Sequence, residues 1–475
     1  MLSSGVPRKP RDVLDRDAEW RALSDAWESP GPELLFVLGR RRIGKSFLLS
    51  RFAKRVKGVY YQATRRTEAE QLASVSLAVG ERFGDAALSR GASMPSWEAL
   101  LAYITERGGD EPFLLVLDEF PYLASAAPAL PSIVQKLWDH DWSRTRIRLV
   151  LAGSYVTAMH RLEAGDQPLF GRRTRRISFD PFTAADLAGF VPDWTPRDRL
   201  RLHGVAGHLP GHLALIDPDA SLEANLARLF FDPAGRLVDE AQHMLDAFLG
   251  EADVHYSILE AIAGGDRTWS GITSRVGKSG GAVSRPLQWL EAMDVIERVV
   301  PITEKTPKRS KRAVYRVADP YVEFWHTFVA PALRSGSIGL AKPELLVKRL
   351  VSPRLDDYMG GVFERVCREH ARRTSTPFEP LRVGSWWDAR SRNEVDVVSL
   401  SGDGEVYVAE CKWGPVTRRH FETLRERARI LTAELPRVTR VHYGLYSGRG
   451  EFDDALRELA SRGEVFSLYG PDDVT

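Results

Sequence analysis

Cysteine is nearly missing from this chain. Cys367 and Cys411 are the two among 475 residues, too few for a disulfide framework and suited to a reducing cytosol. Long apolar runs are missing too: no stretch approaches the roughly 20 apolar residues that cross a bilayer. The opening MLSSGVPRKPRDVLDRDAEW holds no apolar segment fit for a signal peptide. A charge excess is also lacking. Lysine and arginine number 66 against 64 acidic residues, so nucleic-acid binding by bulk charge is excluded and any basic surface is local. Internal repeats and low-complexity linkers do not occur. These absences point to a soluble, cytoplasmic protein without membrane contact. What remains is an ordinary globular composition, 43% hydrophobic and 27% charged. The length suffices for roughly two to four domains, each with its own core.

Three stretches differ in texture. Up to about residue 180, short apolar runs (LLFVLG, FLLVLD, IRLVLAG) alternate with helix-like segments, the pattern of an α/β fold with a parallel sheet. Within it, Gly39-RRRIGKS-Ser46 matches G-x-x-x-x-G-K-[ST] between the buried strand LLFVL and a helix carrying Phe47, Leu48 and Phe52 near one face. Such a loop, from Gly39 through Gly44, aims backbone N–H groups and a helix dipole at phosphate. Lys45 would reach the β- and γ-phosphates of ATP, and the Ser46 hydroxyl would ligate Mg²⁺. A second strand, Pro112-FLLVLDEF-Phe120, ends in two carboxylates. Asp118 would hold Mg²⁺ through water, and Glu119 would polarise the attacking water. A third, Ile147-RLVLAGSYV-Val156, ends in Ser154, which reads equally as a γ-phosphate sensor or a helix N-cap. Downstream, Arg172, Arg173, Arg175 and Arg176 offer a candidate arginine finger beside the simpler reading of a solvated basic turn.

RDAEWRALSDAW, GRRRIGKS, LLVLDEF, LAGSYV, PLFGR and GHLPGHLAL together resemble the archaeal-type ATPase family, prokaryotic relatives of the AAA+ and STAND ATPases. The likeness spans roughly residues 11–215. It implies an ATP-binding core followed by a small helical lid. Arg172 falls on the family's PLxGR position, and the family's glycine–proline motif falls on Gly207-HLPGHL-Leu213. His208 and His212 depart from the smaller or aromatic residues expected there.

Residues 255–300 read as three short helices and a strand, with Ile258, Leu259 and Ile262, then Ile272 and Val276, then Leu287, Leu290 and Met293 as apolar faces. VIERVVPIT then pairs with AVYRVAD across the tip Lys305-TPKRSKR-Arg312. This is a winged-helix layout. Lys305, Lys308, Arg309, Lys311 and Arg312 are candidate contacts to a DNA backbone, and Lys278, Ser279, Ser284 and Arg285 are candidates for a groove. A solvated hairpin tip or a protein-contact module is the plainer alternative. The aromatic DPYVEFWHTFV stretch reads as core, and it too resembles the same ATPase family.

Near the C-terminus, period-two alternation places Val406, Val408, Glu410 and Lys412 on one face of a strand. Tyr407, Ala409, Cys411 and Trp413 fall on the other. With Gly402-Asp403-Gly404 as the hairpin loop, Asp396 comes directly across from Glu410. Two facing carboxylates repel unless a cation sits between them, and Mg²⁺ favours such oxygen ligands. Lys412 would orient a metal-activated water or stabilise developing charge. Glu364, on a preceding helix, is a candidate third ligand. Asp396, thirteen residues, then Glu410-x-Lys412 resembles the PD-(D/E)XK nuclease superfamily over residues 350–475, with Val395 in place of its usual proline. A surface hairpin with a structural Glu–Lys pair, or a nuclease fold that only binds DNA, is the alternative.

The expected organisation is therefore an ATPase core (1–182), a helical lid (183–235), a winged helix (236–330), a linker (331–345) and a nuclease-like α/β domain (346–475). The expected function is ATP-controlled binding, and cleavage, of double-stranded DNA. The rivals are a DNA-binding or signalling switch with an inactive tail, and a nucleotide-binding scaffold. An arginine finger commonly acts from a neighbouring subunit, which leaves a homo-oligomer open.

Overall fold

Strands buried on both faces need uninterrupted apolar runs, and three such runs organise the first part of the chain. The computed structural model describes residues 7–475 apart from Arg41, Tyr155, 247–252, Ser279 and 375–376. The expected groove residue Ser279 thus lies outside the described residues. β1 (Glu33–Leu38), β3 (Phe113–Asp118) and β4 (Ile147–Gly153) are buried at every position. With β2 (Val59–Gln62) and β5 (Arg175–Ser178) they form a parallel sheet of order β2-β3-β4-β1-β5. β4 lies between the strand that feeds the glycine-rich loop and the strand that ends in Asp118. Of the helix Lys45–Arg55, Leu48 and Phe52 face the core, whereas Phe47 is exposed beneath the guanidinium of Arg51.

One compact unit runs to Pro181 and includes Leu209–Gly211; the second comprises Phe182–His208 and His212–Thr475. In the second, one hydrophobic cluster extends from Phe182 to Val474. The boundaries expected at 235, 330 and 345 all fall inside it. Segments of some 50 residues rarely enclose enough apolar surface alone, and here they pool it. The stretch expected as a linker is anchored rather than free: Ala330 and Ala332 are buried, and Pro343–Leu346 is helical.

Helices Asp253–Ala263, Trp269–Val276 and Gly280–Ala292 precede a hairpin of β6 (Ile296–Val299) and β7 (Val314–Val317). Ile258, Leu259, Ile262, Ile272, Leu287 and Leu290 are buried, as their spacing anticipates. In the aromatic stretch after it, Tyr321, Phe324, Trp325 and Phe328 are core. The glycine–proline motif's departures gain a reason here. His208 lies 3.6 Å from the buried Asp319 carboxylate, and the His212 ring meets Tyr321 edge-on.

The last part begins with the helix Leu355–Arg373 and continues through β8 (Arg382–Trp387), β9 (Glu394–Leu400), β10 (Glu405–Lys412), the helix Arg418–Ala433, β11 (Arg440–Ser447) and β12 (Ser467–Tyr469). The sheet order is β12-β11-β10-β9-β8, antiparallel from β8 to β10 and parallel from β10 to β12. No helix among the described residues is long and apolar enough to cross a membrane.

His326 is 4% exposed, and neither ring nitrogen has a hydrogen-bond partner among the described residues. Burial, and then Arg334, holds its imidazole down to about 3. The folded state therefore keeps it neutral while the unfolded chain protonates it below about 6.5. Stability should fall as pH drops from 6.5 toward 3, by about 2 kcal/mol between 6.5 and 5 from this group. Denaturant melts across that range check it: His326→Leu should flatten the slope.

Candidate nucleotide and metal sites

The loop after β1 turns through Gly44, which sits at a left-handed φ of 94° at the head of the Lys45–Arg55 helix. A Cβ on Gly44 would come 3.5 Å from Pro210, so the proline of the glycine–proline motif stands against this loop. Lys45 is 3% exposed, and its ammonium donates to the carbonyls of Gly39 (2.7 Å) and Arg40 (2.9 Å) and to the Ser154 hydroxyl (3.0 Å). That hydroxyl donates in turn to Glu119 Oε1 at 2.6 Å. Ser154 thus bridges the lysine and the expected base. Glu119 itself has φ 53°, a strained conformation for a residue with a side chain. Asp118 is fully buried and accepts from the Glu119 N–H (2.9 Å) and the Tyr60 hydroxyl (2.7 Å). Burial, and then the Asp118 carboxylate, pushes the Tyr60 phenol up, while the Ser46 hydroxyl beside it works the other way. Two carboxylates, a hydroxyl and an ammonium at the head of a helix are the donor set that a nucleoside triphosphate with Mg²⁺ requires.

Arg172, expected as a finger, is held within its own chain. Nε and Nη2 donate to the two Asp139 oxygens at 2.9 and 2.7 Å, and Nη1 donates to the carbonyls of Pro168 and Phe170. This bidentate pair braces a loop. Arg173 and Arg176 both pair with Glu163, and Arg175 lies 3.3 Å from Glu33.

In the C-terminal sheet, Val406, Tyr407, Val408 and Ala409 pair with Leu400, Ser399, Val398 and Val397. This ladder ends one step before Glu410 and Asp396, which lie on the adjacent strands. Both strand faces are covered. Val406 and Val408 share a core with Phe421, Leu424 and Ala428 of the Arg418–Ala433 helix, while Tyr407, Ala409 and Cys411 join the cluster that holds Phe363 and Cys367. Cys411 is thus a buried core residue.

Asp396 and Glu410 are 6% and 4% exposed. Burial, then the Glu364 and Glu410 carboxylates, pushes Asp396 well above the ordinary carboxylate range. Its Oδ2 accepts the Cys411 N–H at 2.8 Å. Carboxylate oxygens of Glu364, Glu394 and Asp396 lie within 4.8 Å of one another, a grouping of hard oxygen donors suited to a divalent cation. Glu410 is engaged differently from expectation. Lys412 Nζ stands 2.7 Å from its Oε1, and Arg427 lies 3.1 Å from its Oε2. Burial pulls the Lys412 ammonium down, but Glu410 and Asp396 outweigh it and its pKa is raised. Arg368 lies 3.7 Å from Glu364, and Arg316 of β7 lies 3.9 Å from Glu394.

At the hairpin tip, Lys305, Lys308, Arg309 and Lys311 are exposed. Arg312 corrects the expectation of a fifth DNA contact: it pairs with Glu304 at 2.7 Å and donates to the Trp387 carbonyl at 3.1 Å. The tip is stapled to β8, because the Ile302 N–H donates to the Ser385 carbonyl and Arg382 donates to the Ile302 carbonyl. Of the groove candidates, Lys278 and Arg285 are exposed and Ser284 donates to the Gly280 carbonyl.

Sequence reasoning missed Tyr60, Glu394 and Arg427. Glu394 was within reach, since it precedes Asp396 by two and shares its strand face. Tyr60 and Arg427 carry no local signal; only the fold brings them to Asp118 and Glu410.

Residues 13–195 match the model of an ATPase domain predominantly from Archaea, and residues 325–424 match that of archaeal and bacterial proteins of unknown function. An uncharacterized protein of Methanocaldococcus jannaschii is 25% identical over 419 residues, covering 86% of this chain and 90% of that one. The Walker-type ATPase PABY2304 of Pyrococcus abyssi shares the fold at a TM-score of 0.50 and 20% identity, over 69% of this chain and 99% of that one. The Aeropyrum pernix ORC2 protein aligns at a TM-score of 0.44 and 16% identity, over 70% and 97%. The N-terminal part thus matches the model of an archaeal ATPase domain and has an α/β fold with a parallel central sheet like that of P-loop ATPases.

Tyr60→Phe removes the hydroxyl that orients Asp118. The Mg²⁺ concentration supporting half-maximal nucleotide binding should rise roughly fivefold, the worth of one hydrogen bond near 1 kcal/mol. A Mg²⁺ titration at fixed nucleotide reads it, and an unchanged midpoint would leave Tyr60 a packing residue.

Proposed function

We propose that this chain hydrolyses ATP with Mg²⁺ and that its nucleotide state controls a DNA-binding winged helix and a metal-dependent nuclease domain. In the first unit, Lys45 and the loop N–H groups hold phosphate, Ser46 and Asp118 hold the ion, and Glu119 takes a proton from the attacking water. Glu119 has to release Ser154 to do so.

The observation that carries the nuclease reading is the gathering of Glu364, Glu394 and Asp396 oxygens within 4.8 Å of one another, beside a strand on which Lys412 lies 2.7 Å from the buried Glu410. The order of helix, three antiparallel strands, helix and parallel strand supports it, because this is the frame on which the PD-(D/E)XK likeness rests. Glu364, Asp396 and Glu410, with Glu394 beside them, would hold a divalent ion. Such an ion supplies a polarised phosphodiester and a water of lowered pKa. Lys412 then orients that water or neutralises charge as it develops. Three helices followed by a hairpin, with Lys305, Lys308, Arg309 and Lys311 exposed at its tip, support phosphate contact by that module.

A second reading has its own support. Glu410 already carries two cationic partners, and Arg368 and Arg316 flank the other carboxylates. A site neutralised in this way is compatible with a DNA-binding switch whose tail no longer cuts.

Plasmid incubated with the protein and Mg²⁺ or Mn²⁺ separates the two. The first reading expects cleavage, lowered about 100-fold or more by Lys412→Ala. The second expects binding with a steep salt dependence and no cleavage at any metal concentration. Equal cutting by both proteins would remove the assigned site.

Nucleotide assays test the front half. Lys45→Ala should abolish ATP binding, and Glu119→Gln should retain binding while hydrolysis slows by roughly 100-fold or more. Normal turnover in the glutamine variant would move the base elsewhere.

A further inference from the structure

The Pro196–Ala206 helix is eleven residues long, and both of its ends are engaged. From its C-terminal end the chain passes through Gly207 and His208 into Leu209–Gly211, which belongs to the first unit and sets Pro210 against Gly44. Near its N-terminal end, Arg197 reaches the far edge of the C-terminal sheet. Its Nη1 donates to the carbonyls of Gly448 (2.8 Å) and Trp413 (3.3 Å), and its Nη2 lies 3.4 Å from Asp356. The guanidinium also covers the Trp413 ring at 4.3 Å from the centroid.

Trp413 is held on every side. Its indole N–H donates to Asp356 at 2.8 Å, and Phe363 meets its ring edge-on at 5.6 Å. Gly448 leaves no space behind it, since a Cβ there would come 2.5 Å from the Trp413 ring. The Gly448 N–H donates to the Lys412 carbonyl at 2.8 Å. Trp413 directly follows Lys412, and Phe363 directly precedes Glu364. One guanidinium therefore fixes the backbone beside the lysine of the carboxylate site and, through Trp413, the helix that presents Glu364.

We propose that Arg197 is the positioning residue through which the nucleotide state reaches the carboxylate site. A change at the P-loop has a covalent route of thirteen residues, from Pro210 back through a single helix, to the side chain that holds the ends of β10 and β11. Displacing a catalytic group by about 1 Å can cost on the order of 100-fold in rate, so a small shift of Arg197 suffices. This inference rests on the proposed nucleotide control of that site.

Amide hydrogen exchange of the full chain, in Mg²⁺ with ADP or with a non-hydrolysable ATP analogue, reads the coupling directly. In the wild-type protein, exchange across residues 408–414 and 444–450 should differ between the two nucleotides. Arg197→Met keeps the packing stem, so nucleotide binding and ATP hydrolysis should stay near the wild-type level while that difference disappears. Any nucleotide response of DNA cleavage should shrink about tenfold with it. Arg197→Lys keeps a charge over Trp413 but cannot serve two carbonyls at once; the same loss is expected, and it stands in should the methionine variant not fold. A wild-type protein without a nucleotide-dependent difference in those segments, or variants that retain it, would overturn the proposal. Because exchange needs no cleavage, a tail that never cuts leaves this test decisive.

Discussion

A carboxylate that ends a buried strand must be neutralised, and both units are arranged around that requirement. Asp118 has no solvent exposure and Asp396 has little. In the first unit the compensation is polar: a tyrosine hydroxyl and a backbone N–H hold Asp118, while Ser154 links Glu119 to Lys45. In the second it is ionic. Lys412 and Arg427 face Glu410, and Arg368 lies against Glu364. Burial without such partners would cost several kcal/mol per charge.

Position follows from the sheets. Parallel strands converge their functional groups at one edge, where chain reversals leave a crevice. The loop after β1 and the ends of β3 and β4 form that edge in the first unit. The ends of β9, β10 and β11 do so in the second, where Asp396 accepts the Cys411 N–H across the antiparallel hairpin and the parallel neighbour lends Gly448 to hold Lys412. The β6–β7 hairpin is tied to β8, the strand beside β9, through Ile302 and Arg312, so its four exposed basic residues project from a fixed base.

Much was legible because it is local. A glycine-rich loop between a buried strand and a helix is contiguous, so spacing alone identifies it. The placement of Asp396 and Glu410 on adjacent antiparallel strands was legible for a different reason: strand alternation has a fixed period of two, and a short loop joins the two strands. The helical faces of residues 255–293 were read from the same kind of periodicity. Ion pairs were not legible. Arg172 looked free because its partner Asp139 lies 33 residues away, and Arg312 because nothing in the hairpin's spacing shows that it turns back to Glu304 and on to the Trp387 carbonyl. Glu410 looked available as a ligand because Arg427, on the following helix, carries no mark in the sequence.

The sequence by itself determined the glycine-rich loop between strand and helix, the carboxylate that ends β3 and the adjacent strands of the tail, because each depends on short-range spacing and backbone period. The tertiary structure alone decided which charges are paired, that one core runs from Phe182 to Val474, and that Arg197 lies over Trp413. Those outcomes depend on how apolar surface from distant segments is pooled and buried. Local order carries no record of that sum.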